Sequence, residues 1–229
     1  MKLKRLTERI WYFPFEEERD RPNLCYIKGD HWSLSVDAGH SDAHTAEFYR
    51  ALEDAGLPLP ALTALTHWHW DHTFGMHAVH GLCVANARTD EHLRAFREQV
   101  MTNGPGSFLS LHESIRREYA GGRPVVITPA DIVFSGELLL DPGSCPIRLF
   151  QVEAPHTDDS TLIHVIDENV LFLGDAGGDV FLTGERDAAL CRKLADSIEA
   201  TGAELCLEGH WVPTTRQDVL ADLLLGMTD

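Results

Sequence analysis

The sequence predicts a single α/β (α+β) domain, spanning 1–229, in which strands pack against helices. Three observations predict it. Short apolar runs bounded by turn residues recur along the whole chain, segments with apolar residues three and four apart lie between them, and no composition shift, linker or repeat divides the 229 residues. A chain of this length can bury a full core without disulfides or structural metals as staples.

The opening third reads as an antiparallel meander. Ile10-Trp11-Tyr12-Phe13, Leu24-Cys25-Tyr26-Ile27 and Trp32-Ser33-Leu34-Ser35-Val36 are strand-like, with Lys28-Gly29-Asp30 as the hairpin connection between the last two. The third run ends at Asp37. A helix is expected from Asp42, with Phe48 and Leu52 on one face and Gly56 as its stop. Ala61-Leu62-Thr63-Ala64-Leu65 then reads as a buried strand leading into Thr66-His67-Trp68-His69-Trp70-Asp71-His72. Taken as extended chain, this stretch turns His67, His69 and Asp71 to one side and Trp68 and Trp70 to the other, with a bend bringing in His72.

Gly81-Leu82-Cys83-Val84-Ala85 is the next strand. Thr89 is the expected N-cap of a helix striped by Leu93, Phe96 and Val100, and Asn103-Gly104-Pro105-Gly106 breaks it before a second stripe of Phe108, Leu111, Ile115 and Tyr119. This helical segment, 89–119, is either scaffold or an insertion leaning over a site. Strands are expected again at Val125-Val126-Ile127, Ile132-Val133-Phe134, Leu138-Leu139-Leu140, 147–152, 161–165 and 170–175. A helix with Leu190, Leu194 and Ile198 on one face stops at Gly202. A strand at Leu205-Cys206-Leu207 and a helix from Thr215 carrying Val219, Leu220 and Leu223 close the chain.

Charge narrows the partners. Lys plus Arg total 19 against 36 Asp plus Glu, and the net charge of -17 repels phosphate backbones and anionic membrane surfaces. Neither nucleic acid nor membrane is expected; a small-molecule substrate is. The five cysteines are scattered without a C-x-x-C pair and read as reduced core residues of a cytoplasmic protein. No apolar h-region follows Met1-Lys2-Leu3-Lys4-Arg5, and no apolar run approaches the roughly 20 residues that span a bilayer.

Five apolar runs end in residues able to bind metal or orient a ligand: Asp37, the cluster at 67–72, His156, Asp175 and His210. Functional residues gather where several strand ends meet, because a rigid sheet holds separate loops around one point. The candidate ligands are His67, His69, Asp71, His72, His156, Asp175 and His210, too many for one tetrahedral ion and suited to two ions sharing a carboxylate. Histidines such as His40, His44, His92 and His164 read as hydrogen-bonding or surface residues. Trp68, Trp70 and Trp211 read as packing walls, and Asp158 and Asp159 as turn caps.

The string H-x-H-x-D-H at 67–72, followed in order by His156, Asp175 and His210, with Asp37 before it, resembles the metallo-β-lactamase superfamily. The resemblance implies a four-layer αββα sandwich with the metal site at one edge of its two sheets. It implies His67, His69 and His156 on one ion, Asp71, His72 and His210 on a second, Asp175 bridging, and Asp37 supporting the metal-binding loop. Two divalent ions are expected, zinc first, with iron or manganese also suited to nitrogen and oxygen ligands. They lower the pKa of a bound water from 15.7 to about 7, so hydroxide forms at neutral pH, with Asp71 the catalytic residue that orients it.

Among family members the pattern is closest to glyoxalase II and lactonase-like enzymes. Asp175 stands where dinuclear β-lactamases usually carry Cys or Ser, and His69 where flavodiiron oxygen reductases carry Glu. The short segment after His210 offers no helical domain for glutathione. These features predict hydrolysis of a small carbonyl ester, lactone or thioester; the alternatives are a one-iron persulfide dioxygenase-like oxidoreductase and a phosphodiesterase or β-lactamase of the same fold.

Overall fold

The computed structural model describes residues 1–181 and 183–225. Its first half runs β1 (Lys4–Arg5), β2 (Ile10–Phe13), β3 (Leu24–Lys28), β4 (Ser33–Val36), α1 (Asp42–Asp54), β5 (Leu62–Ala64), α2 (Trp70–Thr73), β6 (Leu82–Asn86), α3 (Ala87–Asn103), α4 (Gly106–Leu109), α5 (Glu113–Glu118) and β7 (Ile132–Phe134). The seven strands form one sheet in chain order. β1 to β4 are an antiparallel meander, as the turn residues predict, and β4, β5, β6 and β7 are parallel neighbours.

The second half runs β8 (Glu137–Leu140), β9 (Ile147–Gln151), β10 (Thr161–Val165), β11 (Val170–Gly174), α6 (Ala188–Thr201), β12 (Leu205–Glu208), β13 (Thr214–Thr215) and α7 (Arg216–Leu223). Its six strands make the second sheet, in the order β13-β12-β11-β10-β9-β8. Among the described residues of this sheet, only the β11 and β12 pair is parallel.

Alternation along the strands sorts the side chains into four layers. Cys25 and Ile27 of β3 face Ile163, Val165, Val170 and Phe172 of the second sheet. Leu24 and Tyr26, the alternate residues, meet Phe48 and Leu52 of α1 outside. In β11 the same rule sends Leu171 and Leu173 to the opposite outer face, against Leu194 and Ile198 of α6 and Val219 of α7. A third outer cluster packs Leu93, Phe108, Ile115 and Tyr119 over Cys83 and Ala85 of β6, so the 89–119 segment lies on the first sheet. The architecture is the expected αββα sandwich. All five cysteines are free and buried.

Local chemistry sets the helix ends. Ser41 caps α1 by accepting from the backbone of Ala43 and His44, and Gly56, at φ +67°, takes the left-handed turn beyond it. The cap of α3 differs from expectation. Asn86, not Thr89, accepts from Arg88 N and Thr89 N, because Thr89 lies one turn inside with its hydroxyl committed to the buried Asp159. The second stripe is also interrupted: α4 and α5 are separate turns, and Leu111 between them is 52% exposed. Residues 125–127 are not a strand, since β6 already has its neighbour in β7, and Ile127 is buried among the helices instead.

Candidate metal centre

Parallel pairing brings the candidate residues to one edge. β4 and β5 end side by side, with Asp37 N donating to Ala64 O at 2.9 Å, and so deliver Asp37 next to the 66–72 stretch. β11 and β12 likewise end together, with Gly209 N donating to Gly174 O at 2.9 Å, which sets Asp175 beside His210. The two sheets are tied here by Thr161 N donating to Thr66 O at 2.7 Å. The loop after β9 adds His156.

The 67–72 stretch is not extended throughout. β5 stops at Ala64, and His69 is the N-cap of the single turn of α2, so Asp71 and His72 project from a helix. The apolar alternation ends before the ligands do; helical geometry places the neighbours Asp71 and His72 about one point where a strand would have opposed them. Trp70 is buried among the helices, whereas Trp68 is half-buried beside His92 and Phe96, and Trp211 is 66% exposed rather than a wall.

All seven candidate ligands converge, in two adjoining groups. In the first, His69 Nδ1 lies 3.1 Å from both His67 Nε2 and His156 Nε2. In the second, Asp71 Oδ2 is 3.0 Å from His210 Nε2 and 3.2 Å from His72 Nε2. Asp175 Oδ2 belongs between them, 3.4 Å from His72 Nε2, 3.5 Å from His210 Nε2 and 3.9 Å from His156 Nε2. Gly209 makes room: a Cβ there would meet Asp175 Oδ1 at 2.3 Å.

These residues fit divalent ions. His69 Nδ1 can donate to only one of its two neighbours, so another lone pair in the buried trio faces a nitrogen without compensation. His72 Nε2 is buried and faces Asp71 Oδ2 and Asp175 Oδ2 at 3.2 and 3.4 Å without a well-aligned hydrogen bond to either. Tetrahedral coordination with bonds of about 2.0–2.1 Å separates ligand atoms by about 3.3 Å, close to the spacings found here.

One carboxylate orients histidines in both groups. His72 Nδ1 donates to Asp37 Oδ2 at 2.7 Å, which turns its Nε2 inward. Thr66 Oγ1 donates to the same carboxylate at 2.9 Å and lies 3.1 Å from His67 Nδ1, placed to accept that ring's proton. Thr66 N donates to Asp37 Oδ1 at 2.8 Å. Asp37 reaches all of them from a left-handed backbone, φ 62°, which an Asp tolerates. His156 Nδ1 is held by Asp179 O at 3.1 Å.

Burial and charge divide the groups. Burial, reinforced by neighbouring histidines, pushes His67 well below the usual histidine range, and burial takes His69 down to about 3. His72 and His210 are also desolvated, yet the carboxylates win. Asp71, Asp175 and Asp37 hold His72 well above its ordinary value, and Asp175 with Asp71 raises His210 to about 9. Both carboxylates are themselves desolvated but driven low by these histidines.

Three residues around the site carried no sequence signal. Asn23 Nδ2 donates to Glu208 O at 2.8 Å and Trp211 O at 2.7 Å, clamping the loop that carries His210. Asp20, raised to about 6 by burial and then by Asp71, faces His210 Nδ1 at 4.0 Å. Next to it, Arg21 is 1% exposed and pairs through two nitrogens with Glu118 of α5, at 2.8 and 2.9 Å. That pair ties the 16–21 loop to the 89–119 segment. Asp158 and Asp159 divide their work: exposed Asp158 takes His92 at 2.7 Å, and Thr157 and Ser160 close the turn between them.

The described residues include no helix long and apolar enough to cross a membrane. A family model described as the metallo-beta-lactamase superfamily matches residues 34–207. The chain is similar to the acyl-coenzyme A thioesterase MBLAC2 of Gallus gallus, 23% identical over 86% of this chain and 75% of the relative, and to that of Bos taurus, 22% identical over the same shares. Among solved structures it is similar to DIM-1 metallo-beta-lactamase, with a TM-score of 0.70 and 17% identity over 97% of this chain and 96% of that one. A metallo-beta-lactamase from Pontibacter korlensis superposes with a TM-score of 0.67 at 13% identity, over 98% and 99%.

Proposed function

The chain belongs to the metallo-beta-lactamase superfamily, and on that premise we propose that it is a two-metal hydrolase acting on thioesters. The observation that carries the reading is Asp175 Oδ2, which lies within reach of His156 on one side and of His72 and His210 on the other. His67, His69 and His156 would hold one ion and Asp71, His72 and His210 the other, with Asp175 shared. Zinc suits this set, as do iron and manganese. When bound, such a pair supplies a water acidified to near neutrality and a Lewis acid for the substrate carbonyl.

The chain's own residues do the rest. Asp71, whose Oδ2 lies 3.0 Å from His210 Nε2 across the second group, orients the attacking water. Asp37 keeps His72 and His67 in the tautomers that present Nε2. We take 89–119 as a fixed wall of the cleft, since buried Phe108, Ile115 and Glu118 anchor it. A thiolate departs without a proton donor more readily than an alkoxide or an amide anion, because a thiol is the stronger acid, which suits a cleft lined by carboxylates. The relatives named as acyl-coenzyme A thioesterases support the same bond type. Glu17 and Asp20, on the cleft but outside the ligand set, disfavour a phosphodiester. A small-molecule substrate and a cytoplasmic location complete the proposal.

Metal quantitation on purified protein, followed by a panel of thioester, lactone, phosphodiester and β-lactam substrates, tests it. Two ions per chain and thiol release are expected. One iron per chain with oxygen uptake on a persulfide would overturn the reading.

A further inference from the structure

A cavity of about 960 Å³ opens beside the metal groups, between α3, the 153–158 loop and the start of α6. It is continuous with the cleft that contains Asp71, Asp175 and His210, because Trp70, His156 and Phe181 line both. Phe181 stands at the junction, its ring centroid 4.1 Å from that of His69 and 5.6 Å from that of Trp70. Beyond it the walls are Trp68, Phe96, Leu111, Val180 and Leu190. Leu190 of α6 and Leu111, between α4 and α5, both line the cavity and take no part in the metal groups.

Charge inside this gallery is already spent. Arg88 pairs with Asp158 at 3.5 Å, Lys193 pairs with Glu153, and His92 bonds Asp158 at 2.7 Å. Asp187, the remaining carboxylate of the lining, caps α6 through Ala189 N and Leu190 N. Two cations against three carboxylates leave the lining slightly negative, so it offers nothing to a phosphate or carboxylate group. An apolar gallery with neutralised rims, opening on the reacting centre, takes an uncharged hydrocarbon arm.

We infer that this gallery binds the aliphatic arm of the acyl group, so that Leu190 and Leu111 set chain-length specificity while the thiol half stays in the polar cleft. The inference rests on the thioester reading above. Burying a methylene is worth up to about four-fold in kcat/KM, from about 0.8 kcal/mol each.

The test uses S-acyl-N-acetylcysteamine thioesters from acetyl to decanoyl, and the non-hydrolysable S-decyl-N-acetylcysteamine as a calorimetric binding probe. Wild type should gain kcat/KM with acyl length and bind the decyl thioether. Leu190→Trp, which fills the gallery, should lower the decanoyl-to-acetyl ratio by about ten-fold or more and weaken the thioether in parallel. Leu111→Arg, at a position exposed enough to tolerate charge, is the second variant should Leu190→Trp not fold, with the same expectation. Leu139→Trp, on an exposed face of β8, should leave the ratio unchanged. Thioester cleavage that is flat with chain length and unmoved in ratio by either variant overturns the gallery while the thioesterase reading stands. Thioether binding that is lost in the variants, without thioester cleavage, keeps the gallery and overturns the thioesterase reading. Absence of both binding and cleavage overturns both.

Discussion

The two candidate ligand groups touch through Asp175, yet desolvation has opposite outcomes in them. The trio of His67, His69 and His156 contains no carboxylate of its own, and burial keeps His67 and His69 unprotonated. In the quartet of Asp71, His72, Asp175 and His210, the carboxylates overcome the same desolvation and keep protons on the two imidazoles. His67 and His69 are therefore ready for a cation at neutral pH. The quartet must exchange protons for it.

Removing a ligand should break this asymmetry most severely. Asp71→Ala is expected to reduce hydrolysis by about 10³-fold or more and to lower metal content toward one ion per chain, leaving the trio loaded. His164→Ala, on β10 outside both groups, should keep two ions. Retention of activity by Asp71→Ala, or loss of metal from His164→Ala, would show that the ligand set is misassigned. Asp37 is next in effect, since it orients one histidine of each group. Asp37→Ala should weaken metal binding or activity by about 10–100-fold, and a metal titration should find both ions affected. A loss confined to one ion would mean that the Thr66 link to His67 is idle.

Proton exchange sharpens the contrast without mutation. His72 lies well above, and His210 at about 9, so at pH 7 both carry protons in the ion-free protein. Binding at the quartet should release up to about two protons, and its apparent affinity should rise with pH toward 9. His67 and His69 should add almost nothing to that release when the trio binds. Calorimetry in buffers of different ionisation enthalpy reads both steps, and equal release from the two would remove the distinction.

Much of this site was legible because its parts are local. The candidate ligands lie where apolar runs end, and parallel pairing of β4 with β5 and of β11 with β12 brings the run ends together. What the chain concealed is what depends on tertiary packing. Thr66 gains a role only once Asp37 and His67 stand on either side of it, and Asn23 only once the 208–211 loop passes over it. The gallery is assembled from residues 68, 96, 111, 180–181 and 190, with no period that would reveal it. The apolar run 125–127 misleads for the converse reason: strand propensity cannot act where β7 already occupies the edge of β6. At 67–72, alternation predicted a continued strand, but the chain turns helical at Trp70.

A buried pair outside both metal groups supplies the reference for the smallest effect. His40 and His44 are fully buried, and desolvation keeps both below the usual histidine range, with Arg21 and His40 adding to the depression of His44. The native state therefore declines protons that the unfolded chain accepts below about pH 6.5. Unfolding free energy contributed by these groups is fully present above that pH and falls as pH drops, by at most about 1.4 kcal/mol per pH unit for each histidine. The sign is the reverse of that for His72 and His210, whose raised values favour the folded ion-free protein as pH falls toward neutrality. At saturating divalent metal, where the ligand protons are displaced, His44→Leu should flatten the decline of the urea midpoint between pH 7 and pH 5.5 by about one proton's worth. An unchanged slope would mean that His44 takes up a proton in the folded state, and that burial alone does not govern the histidines outside the metal groups.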